Sequence, residues 1–425
     1  MGRFIITIAL LSSAFMVAAC GTEVDTLRKA LLVYIYPVQK YPKFSPPSLQ
    51  GRGGCGDDIV LTQIGKNRLA RLRAKLQHQA FDTFMVLQLE NRRYLSGFTA
   101  EDAQFDESAG ALLITPEQQI LATDSRYETQ ARIEAPEFEI YRYKKGLASS
   151  LPEILSKLRT KRLGFESARL SYLQFQKFQE HLRKETLTVS LVPTENLVEE
   201  LRMTKEPQEI EAIKKSLAIS ESVFEIIVNT LRVGTTEREL AWAIEKGLRE
   251  SGAESVAFPP IVASGPNAAL PHAIPTHRPI GQEEPILFDW GARLKGYCSD
   301  ISRTIVLGSP DDTFKKVYQV VQDAQSIAIE AMKPGVSTQA VDKIARDHIA
   351  AEGFGDHFGH GLGHGVGLAT HEKPNLSPIR PMNLKVGMVT TVEPGIYIPG
   401  WGGVRLENMV VVKGDGAVVL NHYPL

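Results

Sequence analysis

Three things are scarce in this 425-residue chain. The 3 cysteines, Cys20, Cys55 and Cys298, are too few and too scattered for a disulfide framework or a thiolate zinc site. Net charge is equally scarce: 48 basic residues balance 49 acidic ones, for a net charge of −1. That balance gives no electrostatic footing for nucleic acid or an acidic membrane, so no nucleic-acid partner is expected. Long apolar runs are the third absence. The stretch at residues 4–19, behind Arg3, is short and wrongly flanked for a membrane span. What remains is 43% hydrophobic and 23% charged, with length for two or three domains and proper cores. Those proportions fit a large enzyme-sized protein.

The N-terminal segment is set apart. Residues 17–21 read Val-Ala-Ala-Cys20-Gly, which resembles a bacterial lipoprotein cleavage box, and a lipid on Cys20 would anchor the protein to a membrane outside the cytoplasm. Residues 41–56 are low in complexity and lack an amphipathic period. They favour the other expectation, a spurious upstream start and a cytoplasmic protein. Residues 1–63 are therefore treated as a signal-like, low-complexity segment outside the fold.

From residue 64 the pattern is regular. Leu69, Leu72 and Leu76 predict a helix over 67–78, followed by strands at 83–87, 111–114 and 119–123. Helices at 125–133 and near 151–158 and a strand at 162–165 complete an alternating α/β domain, placed at 64–200. It carries no metal-ligand cluster, nucleophile elbow or phosphate loop, which suggests a structural or substrate-gating role. A second domain, 205–425, opens on Pro207, suited to the first turn of a helix. Its stripe of Ile210, Ile213, Leu217, Val223 and Ile227 leads into a second helix over 236–251, closed by Gly252. Another pair is predicted at 312–332 and 337–352. Strands at 285–291, 297–307, 389–398 and 404–413 accompany the two pairs, which hints at an internal duplication.

Two hairpins each carry a pair of acids. Pairing around Leu294-Lys295 puts Asp289 and Asp300 directly opposite, with Cβ atoms about 4.5–5.5 Å apart. The other hairpin folds around Gly400 and brings Glu393 to Glu407. Each acid has apolar neighbours, as in Leu-Phe-Asp289-Trp and Thr-Val-Glu393-Pro. Any one of them would sit as readily on a solvated face or beside Arg293, Arg303 or Arg405. Four together need positive charge, and a total of −4 matches two divalent cations. Of the 10 histidines, His348, His357, His360, His364 and His371 crowd one segment, most of them in a run with alternating glycines. That run is no helix, and it leaves room to aim imidazoles at a metal.

These motifs resemble the pita-bread metallopeptidases, the group of aminopeptidase P, prolidase and methionine aminopeptidase, and residues 64–200 resemble the creatinase-type N-terminal domain of the proline-specific members. The fold class implied is α+β, a C-terminal pita-bread domain behind an α/β domain. Carried onto this sequence, the resemblance makes Asp289 a ligand of one metal. Asp300 and Glu407 bridge both, and His364 and Glu393 bind the second. The ions implied are Mn²⁺ first, with Co²⁺ or Zn²⁺ as alternatives. His272, His360 and His371 match the family's other histidines, which contact substrate, stabilise the tetrahedral intermediate and handle protons. Arg405 and Tyr397 match positions that orient ligands and water.

Ala369-Thr370 and Asn408 depart from common family residues without touching a ligand position. Cys298 shares strand parity with Asp300 but reads as a small packing residue. The implied activity is that of an Xaa-Pro aminopeptidase, in which a metal-bridging hydroxide attacks the bond before proline and Glu393 shuttles the proton. The peptide substrate has proline at its second position, and a homodimer is expected. The alternatives are an Xaa-Pro dipeptidase (prolidase) and, in another class, a non-catalytic peptide-binding relative. Methionine aminopeptidase generally lacks the N-terminal domain.

Overall fold

The computed structural model describes residues 55–102 and 108–425, with side chains from residue 65. Cys20 and the apolar run before it lie outside the described residues. No helix among the described residues is long and apolar enough to cross a membrane.

The N-terminal part is a six-stranded mixed sheet in the order Glu139–Arg142, Gln119–Thr123, Ala111–Ile114, Thr83–Val86, Arg162–Glu166, Ser190–Thr194. Its middle strands pair antiparallel and its outer pairs are parallel. The strands at 111–114 and 119–123 fall where the apolar runs predict them, because all but Gln119 are buried. The first helix, Cys55–Leu76, begins upstream of the predicted residue 67. Besides the single turn Glu199–Arg202, two longer helices escape the apolar pattern. Leu89–Ser96 buries Asn91 and Arg92 beside Tyr94 and Leu95, so hydrophobic periodicity is the wrong signal for it. Tyr172–Lys184 buries only Phe178 and Leu182, although its Ser171–Gln174 capping box is visible in the sequence. The edge strands 139–142 and 190–194 lack a fully buried residue, which hides them too.

The C-terminal part rests on two helix pairs. Pro207–Thr230 and Glu237–Glu250 pack on one core containing Ile213, Phe224, Ile244, Phe288 and Trp290. Asp312–Ala331 and Thr338–Ala351 pack on another containing Val317, Val321, Val341, Val392 and Val404. Pro207 sits in the first helical turn and Thr236 caps the second helix through a capping box, as their positions suggest. Ser337 precedes Thr338–Ala351 without a side-chain capping bond. Between the helices lie a three-stranded sheet (Ile301–Val306, Pro285–Trp290, Ile261–Ser264) and a five-stranded sheet containing Gly363–Gly365, Val389–Val392 and Asn408–Val412. The strand predicted over 297–307 breaks into Tyr297–Cys298 and Ile301–Val306, and those over 389–398 and 404–413 also split in two.

An ionic clamp joins the two parts. Glu372 is held by Arg202, from the short helix Glu199–Arg202, and by Lys205 at 3.1 Å, with all three side chains buried. Burial alone would raise the Glu372 carboxyl, but the two cations override it and hold it down to about 2. A depressed carboxyl adds stability that is complete above its ordinary value of 4.5 and is lost as pH falls towards about 2. Glu372→Gln strands two buried cations, and breaking such a pair costs about 3–5 kcal/mol at neutral pH. Urea unfolding from pH 2.5 to 7 is expected to show that loss, together with a flatter acid limb in the variant. Equal midpoints would contradict it.

Candidate metal centre

The first acid hairpin is displaced from the expected register. Arg293 faces Cys298 and Leu294 faces Tyr297, so the turn is Lys295-Gly296. Both turn residues have positive φ, 51° and 81°, the backbone a two-residue hairpin of matching twist demands. The shift puts Ser302, not Asp300, opposite Asp289. Asp300 lies two residues from Ser302 on the same face, a diagonal neighbour of Asp289 still within reach of it. In the other hairpin Val392 faces Asn408 and Gly395 faces Arg405, so Glu393 and Glu407 occupy facing positions between them.

His364 arrives from the strand Gly363–Gly365. Its flanking glycines are steric necessities: a Cβ on Gly363 would lie 2.2 Å from the Thr391 carbonyl oxygen, and one on Gly365 2.3 Å from that of Lys373. His364 Nδ1 donates to the Gly365 carbonyl at 3.1 Å. Its Nε2 then faces Asp300 Oδ2 at 3.6 Å and Glu393 Oε1 at 3.4 Å. Burial pushes His364 down, which keeps that nitrogen a free lone pair. Ligand atoms of Asp300, His364 and Glu407 all lie within 4.8 Å of one another.

The carboxylates are oriented by residues that a linear reading overlooks. Ser302 Oγ donates to Glu407 Oε2 at 2.7 Å and accepts from Arg405 Nε at 2.8 Å. Thr391 Oγ1 donates to Glu393 Oε1 at 3.1 Å while accepting the His364 amide. Gln325 Nε2 donates to the carbonyls of Val392 and Leu406, tying together the two strand ends that carry Glu393 and Glu407. Ser302 and Thr391 do share strand parity with their acids, the one signal that could have found them. Of the arginines weighed as partners, only Arg405 holds one of the four carboxylates, Asp289 Oδ2 at 2.6 Å. Arg303 donates to the Glu407 carbonyl, and Arg293 faces Glu101.

These residues fit divalent cations. Among the described residues, Asp289 Oδ1 and Glu407 Oε1 are buried without a hydrogen-bond partner, a costly state for carboxylate oxygens that nothing positive meets. Burial and then mutual repulsion push Asp300 and Glu407 well above the carboxylate range, and burial lifts Glu393 to about 7. Left alone, such a cluster takes up protons; cations would let it ionise. The donors are oxygen and imidazole only. Cys298 is buried in the core, its Sγ 3.8 Å from the Leu368 carbonyl, as the packing reading expects.

Around the carboxylates, Arg405 Nη1 donates to the Tyr397 hydroxyl at 2.8 Å and to the Pro271 carbonyl at 3.0 Å. Tyr397 in turn lies 3.0 Å from His360 Nε2. His360 Nδ1 donates to the Gly361 carbonyl at 2.7 Å, and burial pushes this imidazole down to about 4. It is therefore neutral at pH 7 and accepts at Nε2 from Tyr397, so both ring nitrogens are engaged. His371 lies against His364, the ring centroids 4.1 Å apart and the planes tilted by 36°. His272, next to the anchored Pro271, bears electrostatically on His360, His371 and Glu393.

A carboxylate-rich cluster with one imidazole is a donor set suited to divalent metal ions. Residues 211–414 match Metallopeptidase family M24, and residues 68–204 match the Creatinase/Prolidase N-terminal domain. The chain is 37% identical over 357 residues to the uncharacterized peptidase YqhT of Bacillus subtilis, covering 84% of this chain and 98% of that protein. It is 35% identical over 352 residues to an Xaa-Pro dipeptidase of Pyrococcus furiosus, covering 83% and 97%. Among solved structures it is similar to an Xaa-Pro dipeptidase from Bacillus anthracis (36% identity, TM-score 0.79, 85% and 98% covered). An X-Pro aminopeptidase from Thermotoga maritima is similar as well (36%, TM-score 0.74, 83% and 97%). The chain belongs to metallopeptidase family M24: it is a peptidase of peptide substrates, with divalent metal ions implied by the family and an α+β pita-bread fold behind a creatinase-type domain.

Proposed function

We propose that this chain hydrolyses the bond between an N-terminal residue and a following proline, with Asp289, Asp300, His364, Glu393 and Glu407 holding two divalent cations, Mn²⁺ first. The buried, partnerless oxygens of Asp289 and Glu407 carry this reading. Bound there, the cations supply Lewis acidity and bring the pKa of water towards neutrality. Glu393, whose Oε1 accepts from Thr391, takes up at Oε2 the proton of the water that attacks the scissile carbonyl and returns it to the leaving proline nitrogen, which has no N–H of its own, as the C–N bond breaks. His371 donates to the developing oxyanion, and His272 contacts the substrate. His360, with both nitrogens engaged, orients Tyr397, and Arg405 keeps Asp289 and Tyr397 in place.

Two activities share this chemistry. The dipeptidase reading is favoured by the names of the Pyrococcus furiosus and Bacillus anthracis relatives. The aminopeptidase reading drawn from the motifs is favoured by the Thermotoga maritima structure. We place the dipeptidase first. With Mn²⁺ supplied, Ala-Pro is expected to be hydrolysed with a kcat/KM at least tenfold above that of Ala-Pro-Ala. The opposite ratio assigns the aminopeptidase, and cleavage of neither rejects proline specificity. The homodimer implied by the resemblance belongs to the same reading and is checked by light scattering.

A further inference from the structure

His371 makes no side-chain hydrogen bond among the described residues, and it is exposed, resting on His364. Its position is set by the backbone of residues 369–372. Beyond the ladder pairing of Glu372 with Gly365 and the bond from the Gly367 amide to the Ala369 carbonyl, two side chains anchor that backbone. Thr370 Oγ1 donates to the Ala257 carbonyl at 3.1 Å, and the Ala257 amide donates to the Gly291 carbonyl, two residues from Asp289. The second anchor is Glu372, whose Oε1 accepts the Ala369 amide at 2.9 Å and closes the turn around His371.

Glu372 is itself fixed from the N-terminal side. Arg202 Nη2 donates to Oε1 and Lys205 Nζ to Oε2. Arg202 Nη1 also donates to Asn91 Oδ1 at 2.7 Å, and Asn91 Nδ2 donates to Glu166 Oε1 at 2.6 Å and Glu199 Oε1 at 2.9 Å. Arg202, Asn91 and Glu166 lie within residues 68–204, the part matching the creatinase-type domain, and all three are buried. Nothing in the proposed hydrolysis uses them, yet they form a continuous polar chain ending one residue from His371. An imidazole without bonds of its own is only as well placed as its backbone, and a misplacement of about 1 Å can cost about 10²-fold in rate.

We propose that Glu372, clamped by Arg202 and Lys205, is a positioning residue for His371, so that the N-terminal domain sets the geometry of an imidazole in the catalytic domain. This rests on the role assigned to His371 above. The test uses Mn²⁺-loaded full chain with Ala-Pro, comparing Glu372→Gln and Arg202→Lys, each alone and combined with His371→Ala. Each single variant is expected to lose about 10–100-fold in kcat, with KM and bound metal unchanged. Neither is expected to lower the rate further once His371 is alanine, because residues acting as a unit are not additive. Losses that multiply in the His371→Ala background, or that track lost metal, would overturn the proposal in favour of a purely structural clamp. Arg202→Lys keeps the buried charge and carries the test if Glu372→Gln fails to fold. Full activity in His371→Ala alone refutes the role of His371 itself, an outcome distinct from multiplying losses, and takes the proposal with it.

Discussion

Glu393→Gln is expected to lower kcat by about 10²–10⁴-fold, the range spanned by general acid–base groups, with the fold intact. The substitution is nearly isosteric. Oε1 keeps its bond from Thr391, and the backbone amide keeps its bond to the Leu362 carbonyl at 2.8 Å. What disappears is the site that holds a travelling proton, together with one of four negative charges. The variant is therefore expected to melt close to the parent in the metal-free state, where burial already pushes this carboxyl up to about 7. Steady-state kinetics and a melting curve check both halves. Near-normal turnover would remove Glu393 from the proton path.

Stripping the metal is expected to abolish turnover and lower the melting temperature, by more at pH 8 than at pH 5. The sign follows from the raised carboxyls. Glu393 lies at about 7 in the folded chain against an ordinary 4.5, and Asp300 and Glu407 are raised in the same direction. A raised acid adds stability below its unfolded value and loses it as pH climbs through the folded value. The metal-free chain thus pays for its crowded charges above about pH 7, where cations would neutralise them. Free Mn²⁺ at a hundred times its dissociation constant contributes about 2.7 kcal/mol. Differential scanning at the two pH values, with and without chelator, reads the effect. A melting temperature indifferent to chelator at pH 8 would contradict it.

Much of the candidate site was legible because Asp289 and His364 sit in strands, and Asp300, Glu393 and Glu407 sit in short breaks beside strands where the alternation still applies. Glu393 and Glu407 face each other through a hairpin whose register follows from the turn at Gly400. The Asp hairpin slipped because a Lys-Gly turn with two positive φ values moves the pairing by one residue on each side, a detail of turn chemistry rather than of hydrophobic pattern. Ser302 and Gln325 stayed hidden because their partners lie 105 and up to 81 residues away, whereas Thr391, two residues from Glu393, was marked only by its strand parity. In the N-terminal domain the missed helix Leu89–Ser96 has the same cause. Its inward face carries Asn91 and Arg92, whose partners are buried acids and carbonyls, so apolar spacing could not reveal it. Asn91 nonetheless leads to Glu372, where the polar interior of one domain meets the loop of the other that carries His371.

The most direct measurement is anomalous diffraction from crystals of the chain grown with Mn²⁺. Two peaks within coordination distance of Asp289, Asp300, His364, Glu393 and Glu407 are expected, both lost in an Asp300→Asn, Glu407→Gln double variant. A parent crystal without a peak among those five side chains, or with its Mn²⁺ held elsewhere, would contradict the dinuclear centre.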